Sequence, residues 1–204
     1  MGGRRPSATG ASPVDGLAHE GESYPRSRWG PATMERDVSA KRLRIRAARP
    51  EERVEMEALA SLAFAGVRSV YHPTAAAMSR ARFRRPGDRG LVGVSDDRIV
   101  ATVTYRVEGD VVLAWRLAVH PAHQRRGLAR ALLEGLAARG RRADCRTIRL
   151  HTIRETGNVA IFERMDFRAV DEVVATWCAS PRGETLHDVT LERPLPGGAP
   201  GARR

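Results

Sequence analysis

Lysine is almost missing from this 204-residue chain: Lys41 stands alone beside 34 arginines. Such a skew reads first as a codon-composition bias, so much of the arginine belongs to a solvated surface. Cysteine is scarce too. Cys145 and Cys178 lie far apart, with no metal-ligand spacing and no framework of the secreted kind. The expected setting is therefore a reducing cytoplasm, and no metal site is expected. No apolar run approaches the roughly 20 residues of a membrane helix, which argues against a membrane partner. Arg4 and Arg5 are followed by Ser, Gly and Pro where a signal peptide needs an apolar core. Internal repeats are also absent.

What is present in excess is positive charge, formally +11. The first 40 residues carry five basic and five acidic side chains, and the last nine carry only Arg203 and Arg204. Residues 41–195 therefore hold about +9, a charge that steers anionic ligands inward. A polyphosphate cofactor and nucleic acid both fit that description. Nucleic acid rests on charge alone and is disfavoured; a salt-dependent binding titration would test it.

Residues 1–40 are rich in Gly, Pro, Ser and charge without a periodic apolar pattern, and are expected to be a disordered leader. Met34 is an alternative start. Residues 196–204 are expected to form a disordered tail. Residues 41–195 make one domain, large enough to fold without disulfides or metals.

Within the domain, Leu43–Ala47 alternates as a strand. Pro50 opens a helix whose first acids, Glu51 and Glu52, suit the positive end of the dipole. A weaker helix is expected over Thr74–Arg84. Gly90–Val94, Ile99–Val107 and Val111–Val119 are β-rich runs joined by hairpin-like connections at Asp96-Asp97 and Glu108-Gly109-Asp110. Leu128, Leu132 and Leu136 stripe a helix that should stop near Gly140. Thr147–Thr152 reads as a strand. Asn158–Met165 reads as a short helix with Ile161, Phe162 and Met165 inward. Two strands, near Glu172–Ala179 and Leu186–Leu191, close the domain. This order implies an α/β fold, a mixed sheet with helices on both faces.

One segment carries chemistry. After the strand ending Leu117-Ala118-Val119 come His120-Pro121, the loop Gln124-Arg125-Arg126-Gly127-Leu128-Ala129, and the leucine-striped helix. Unpaired backbone N–H groups and the helix dipole make such a loop an anion site. Gly127 admits close backbone approach, Ala129 keeps the helix entrance narrow, and Arg125, Arg126 and Arg130 offer donors that suit phosphate. A P-loop is excluded, because the loop has one glycine and no Gly-Lys-Ser/Thr.

The spacing Gln124-x-x-Gly127-x-Ala129, directly after Leu-Ala-Val-His-Pro, resembles the signature of the GNAT superfamily of N-acetyltransferases. Leu150-His151-Thr152, Asn158 and Phe162-Glu163-Arg164-Met165-Asp166-Phe167 resemble that family's next strand and helix, so the resemblance spans about residues 42–195. It implies a mostly antiparallel mixed sheet with a central parallel pair of strands that splay apart. It also implies acetyl-CoA as cosubstrate, its pyrophosphate on Gln124–Ala129 and its pantetheine arm along the backbone of Leu117, Ala118 and Val119. Asn158 would contact the cofactor beyond the splay; it also suits a helix N-cap.

Three departures bear on mechanism. Phe162 stands where many members have a tyrosine acid. Asp166 replaces a glycine, which weakens the expected tight turn. Leu113 and Trp115 are apolar where some members place a glutamate base, and Glu108 and Asp110 lie at the far end of that strand. His151, near the expected splay, is then the candidate base, since its unperturbed pKa of about 6.5 suits proton abstraction at neutral pH; a strand histidine making one hydrogen bond is the structural alternative. His120 and His123 serve structure or the cofactor, and Tyr71 and His72 fall where the family builds its acceptor site. The expected reaction is direct acetyl transfer to a small-molecule or peptide amine. A non-catalytic acyl-CoA sensor is the rival, and a homodimer is left open.

Overall fold

The computed structural model describes residues 43–82 and 85–196. The expected leader, the tail beyond Pro196 and the end of the expected Thr74–Arg84 helix lie outside the described residues. In chain order the elements are β1 (Arg44–Ala47), α1 (Arg53–Phe64), β2 (His72–Pro73), α2 (Ala75–Arg82), β3 (Arg89–Ser95), β4 (Arg98–Glu108) and β5 (Val111–Val119). Then follow α3 (Leu128–Arg142), β6 (Thr147–Ile153), α4 (Asn158–Glu163), β7 (Arg168–Val174), β8 (Cys178–Ala179) and β9 (His187–Pro194). Seven strands form one sheet in the order β1-β3-β4-β5-β6-β9-β7, antiparallel except for β5 with β6. The remaining pair, β2 with β8, is a separate two-stranded ladder.

Local chemistry explains the frame. Asp96 and Asp97 both take left-handed φ, 52° and 56°, so they make the tight β3–β4 hairpin in which both central residues are left-handed. At the start of α1, Glu52 accepts from the Arg46 guanidinium at 2.5 and 2.7 Å and from the Arg49 backbone N–H at 2.7 Å. The Arg46 hydrogen bond holds the Glu52 carboxyl down at about 2. The acid expected to answer the helix dipole thus also ties β1 to α1.

Consecutive residues of β3 face different cores. Leu91 joins Leu132, Leu133 and Leu136 of α3, whereas Val92 and Val94 join Leu59 of α1. This alternation puts α1 and α3 on opposite faces of the sheet, as expected. Each fully buried leucine of α3 stabilises the fold by about 1.5–3 kcal/mol relative to exposure. Gly140 does not stop α3, which runs on to Arg142. A Cβ there would lie 2.6 Å from Leu195 Cδ1 and 2.8 Å from Val112 Cγ2, so this glycine serves close packing. The stop comes at Asp144, with φ 54°, and the Cys145 N–H donates back to the Gly140 carbonyl at 2.9 Å.

Other boundaries also moved. α4 ends at Glu163, and Ile161, expected inward, is 45% exposed; Phe162 and Met165 do pack on the core. The expected Glu172–Ala179 strand divides into the edge strand β7 and the short β8. A third, small cluster forms where Ile153, Cys178 and Leu186 meet Tyr71 and Trp177. Among the described residues no helix is long and apolar enough to cross a membrane.

Candidate active site

The parallel ladder between β5 and β6 is short. It pairs Val111–Ala114 with Thr147–Leu150, and among the described residues it goes no further, although both strands continue. A bulge in β5 accompanies the parting. Thr104 pairs with Trp115 but Thr102 pairs with Ala118, so Arg116 and Leu117 together oppose Val103. Arg116 takes φ 54° and points to solvent. An extra residue of this kind bends its strand and raises the local twist. Leu117, Ala118 and Val119 thus lie beyond the ladder with β6, and Ala118 and Val119 stay registered on β4 opposite Thr102 and Ala101.

The turn that follows is fixed by its own side chains. Pro121–His123 form a single 3-10 turn, and His120 Nδ1 accepts from the Ala122 N–H at 3.2 Å. His120 and His123 stack edge to face at 5.6 Å, and burial depresses both imidazoles. The Gln124 side-chain amide donates to the Val119 carbonyl at 3.2 Å, holding the loop to the end of β5. Arg125 takes φ 61° and Gly127 φ 79°, which turns the chain into α3.

Gly127 is the N-cap of α3, and no side chain caps the helix. Leu128 is buried as the first residue of the apolar stripe, and Ala129 is half-buried behind it. A Cβ on Gly127 would meet nothing within 4 Å, so the glycine is demanded by its φ, with open space over the loop. Arg125 and Arg126 are exposed, and neither has an ion-pair partner among the described residues. Open space, uncapped N–H groups and two exposed guanidinium groups fit a polyphosphate. Arg130 is engaged elsewhere: it donates to the Arg164 carbonyl at the end of α4, at 2.5 Å.

Asn158 is not the N-cap of α4, one of the two roles expected of it. Gly157 holds that position, and the Thr156 hydroxyl accepts the Asn158 N–H at 3.3 Å. Phe162 is half-buried and packs edge to face on Phe167 at 5.8 Å, against the core on the α3 side. The turn after α4 forms despite Asp166, which adopts φ 66° itself, with Phe167 N–H bonded to the Phe162 carbonyl at 3.2 Å.

His151 lies on the opposite face of the sheet. Its neighbours Ile148 and Leu150 are buried in the α3 core, so Arg149, His151 and Ile153 turn away from it. The imidazole is half exposed, with Nδ1 3.3 Å from Thr190 Oγ1 and 3.7 Å from Asp188 Oδ1. The second distance is an ion-pair approach and too long for a hydrogen bond. Asp188 Oδ2 accepts from Trp177 Nε1 at 2.8 Å. Burial opposes the charge on Asp188, but His151 and Trp177 outweigh it and hold the carboxyl below its usual range. Beside His151 is a shallow depression of about 280 Å³, lined by Arg149, Val170, Asp171, Thr190 and Glu192 as well as His151. Burial pushes the Cys178 thiol up to about 11, so it offers no thiolate nucleophile at neutral pH.

The sequence model of the acetyltransferase (GNAT) family matches residues 54–167. The chain belongs to the GNAT acetyltransferase family. Solved structures with the same fold include the ribosomal-protein-S18-alanine N-acetyltransferase from Escherichia coli. It has a TM-score of 0.64 at 17% identity, covering 80% of this chain and 100% of that one. Nourseothricin acetyltransferase has a TM-score of 0.56 at 18% identity, covering 76% of this chain and 99% of that one. No curated protein matches the sequence.

This GNAT chain brings Leu117, Ala118, Val119, Gln124, Arg125, Arg126, Gly127, Leu128 and Ala129 into one continuous bulge, turn and helix start. Asn158 stands apart, at the head of α4. Sequence reasoning missed Asp188 and Trp177. The only signal for Asp188 was an acid between Leu186 and Val189, and the register Ile153↔Asp188 is what carries it beside His151. Tyr71, expected near an acceptor, meets Trp177 edge to face at 5.6 Å, and His72 pairs with Ala179.

Proposed function

We propose that this GNAT protein is an acetyl-CoA-dependent N-acetyltransferase that moves an acetyl group directly to a primary amine. The observation that carries the reading is the early end of the β5–β6 ladder beside the uncapped start of α3. An extended amide-bearing arm can add there as a strand would, with an anionic group at the helix N-terminus. In this reading Gln124–Ala129 hold the pyrophosphate, the backbone of Leu117–Val119 orients the arm, and Asn158 lies beyond the splay. The domain over residues 41–195 supplies all of these parts, in a cytoplasmic setting that suits two free, buried thiols.

Bound acetyl-CoA supplies an activated thioester and a thiol of pKa about 8.5 as leaving group. The chain supplies position and a base. His151 accepts the proton of the acceptor ammonium, a role worth about 10²–10⁴ in rate. Phe162 has no proton to give, so the leaving thiolate is stabilised electrostatically or protonated by solvent. The acceptor is a small-molecule or peptide amine, the range that the names of the two structural neighbours span.

The test is release of free CoA thiol from acetyl-CoA across a panel of amino acids, polyamines, aminoglycosides and peptide amino termini. At least one primary amine should give turnover. Binding of acetyl-CoA with no turnover on any amine would favour the acyl-CoA sensor, the reading that Phe162 and the apolar Leu113 and Trp115 otherwise invite.

A further inference from the structure

Asp188 Oδ1 is buried and has no hydrogen-bond partner among the described residues. A buried carboxylate oxygen left without a partner is costly, so its surroundings should contain a reason for it. The other oxygen is fixed by Trp177 Nε1–H at 2.8 Å. Trp177 is itself held, by Tyr71 at 5.6 Å and through its carbonyl by the Thr74 N–H at 2.8 Å. Oδ1 is thus fixed in place, and His151 Nδ1 stands 3.7 Å from it. A small turn of the half-exposed imidazole closes that gap to a hydrogen bond. Of the other charges on this face, Arg149 pairs with Glu192 at 2.5 Å, one oxygen of Asp171 accepts the Glu172 N–H at 2.9 Å, and Arg168 stands opposite Glu192 in the ladder.

We infer that Asp188 is the positioning residue for His151, holding the imidazole proton on Nδ1 and leaving Nε2 as the basic nitrogen. This rests on the reading of His151 as base. The balance is simple: Nε2 takes the proton of the acceptor ammonium, Nδ1 keeps its own, and Asp188 faces the imidazolium without being protonated. Thr190 Oγ1, at 3.3 Å, can share the Nδ1–H as a second acceptor. Its hydroxyl can instead donate to Nδ1, which would put the ring proton on Nε2. The two arrangements give opposite tautomers. The segment carrying Trp177, packed against Tyr71 and Thr74, would by this route set the orientation of the base.

Asp188→Asn tests the inference with little change of shape. The Asn oxygen is claimed by the Trp177 N–H, so the amide NH₂ turns to His151 Nδ1 and forces the ring proton to Nε2. Imidazole ¹⁵N shifts should report an Nδ1–H tautomer in the wild type and Nε2–H in Asp188→Asn. Turnover should fall about 10²–10⁴-fold, while acetyl-CoA affinity and the KM for the acceptor hold. Thr190→Val should keep the Nδ1–H tautomer. A wild type with its proton on Nε2 overturns the inference. So does an Asp188→Asn enzyme with full turnover when His151→Gln has lost its own. Full turnover in His151→Gln would instead overturn the base reading, and is told apart because the wild-type Nδ1–H tautomer then remains.

Discussion

The β5–α3 loop and the β6–β9 face are built by different means. The loop is one contiguous stretch, Leu117–Ala129, and its offer to a ligand is backbone: a strand leaving its ladder, a left-handed glycine and an uncapped helix. The face around His151 is made of side chains from distant stretches. His151 and Thr190 are 39 residues apart, Trp177 and Asp188 are 11 apart, and Tyr71 comes from the stretch that follows α1 in the chain. A backbone site leaves a short local pattern, since few residues can take φ 79° or sit in a tight helix entrance. A side-chain site depends on strand register, which no short window of sequence contains.

If the comparison holds, variants on the two regions fail differently. The largest effect should come from His151→Gln, which should lower turnover at neutral pH by about 10²–10⁴-fold. Acetyl-CoA affinity should stay near wild type, and steady-state kinetics with the best amine of the panel would show the split. Full turnover would leave His151 a structural histidine of β6 and remove the chemistry from that face.

Phe162→Tyr is the next smaller perturbation. The half-buried ring packs on Phe167 at the edge of the core, and the proposed reaction does not call on an acid at this position. Turnover should change less than about tenfold and should not collapse up to about pH 9, tested by pH–rate profiles of both forms. A hundredfold gain in the tyrosine variant would mark the wild-type site as crippled.

Asp166→Gly should touch neither function. Asp166 adopts φ 66°, which costs a residue with a Cβ more than it costs glycine. The variant should gain up to about 1 kcal/mol, a rise in Tm of about 2–4 °C, with binding and turnover unchanged. A lower Tm would show that the aspartate side chain holds the turn by contacts of its own.

The same division explains what could be read beforehand. Strand β5 alternates and helix α3 repeats because each buries one face, β3 and β4 are apolar runs buried on both, and all four were legible within a residue or two. β7 was misplaced because every residue of this edge strand is exposed, so no alternation marks it. The nearby apolar residues Trp177 and Cys178 belong to the small cluster with Ile153 and Leu186 and drew the expected strand toward them. β2 and β8, two residues each, carry no pattern at all. Gly140 was read as a stop because glycine ends many helices, whereas here Leu195 and Val112 press against it. The loop at Gln124–Ala129 was visible at once, Asp188 only through the Ile153↔Asp188 register.

In the proposed site the backbone loop holds acetyl-CoA independently of the His151 face. Acetyl-CoA at 100 times its dissociation constant should stabilise the wild type by about 2.7 kcal/mol. Thermal unfolding with and without acetyl-CoA, run on wild type, His151→Gln and Gly127→Glu, tests it most directly. The Gly127 position is open, so the glutamate brings strain and negative charge to the loop without a clash in the core. Wild type and His151→Gln should show the full shift and Gly127→Glu none. An undiminished shift in Gly127→Glu would contradict it.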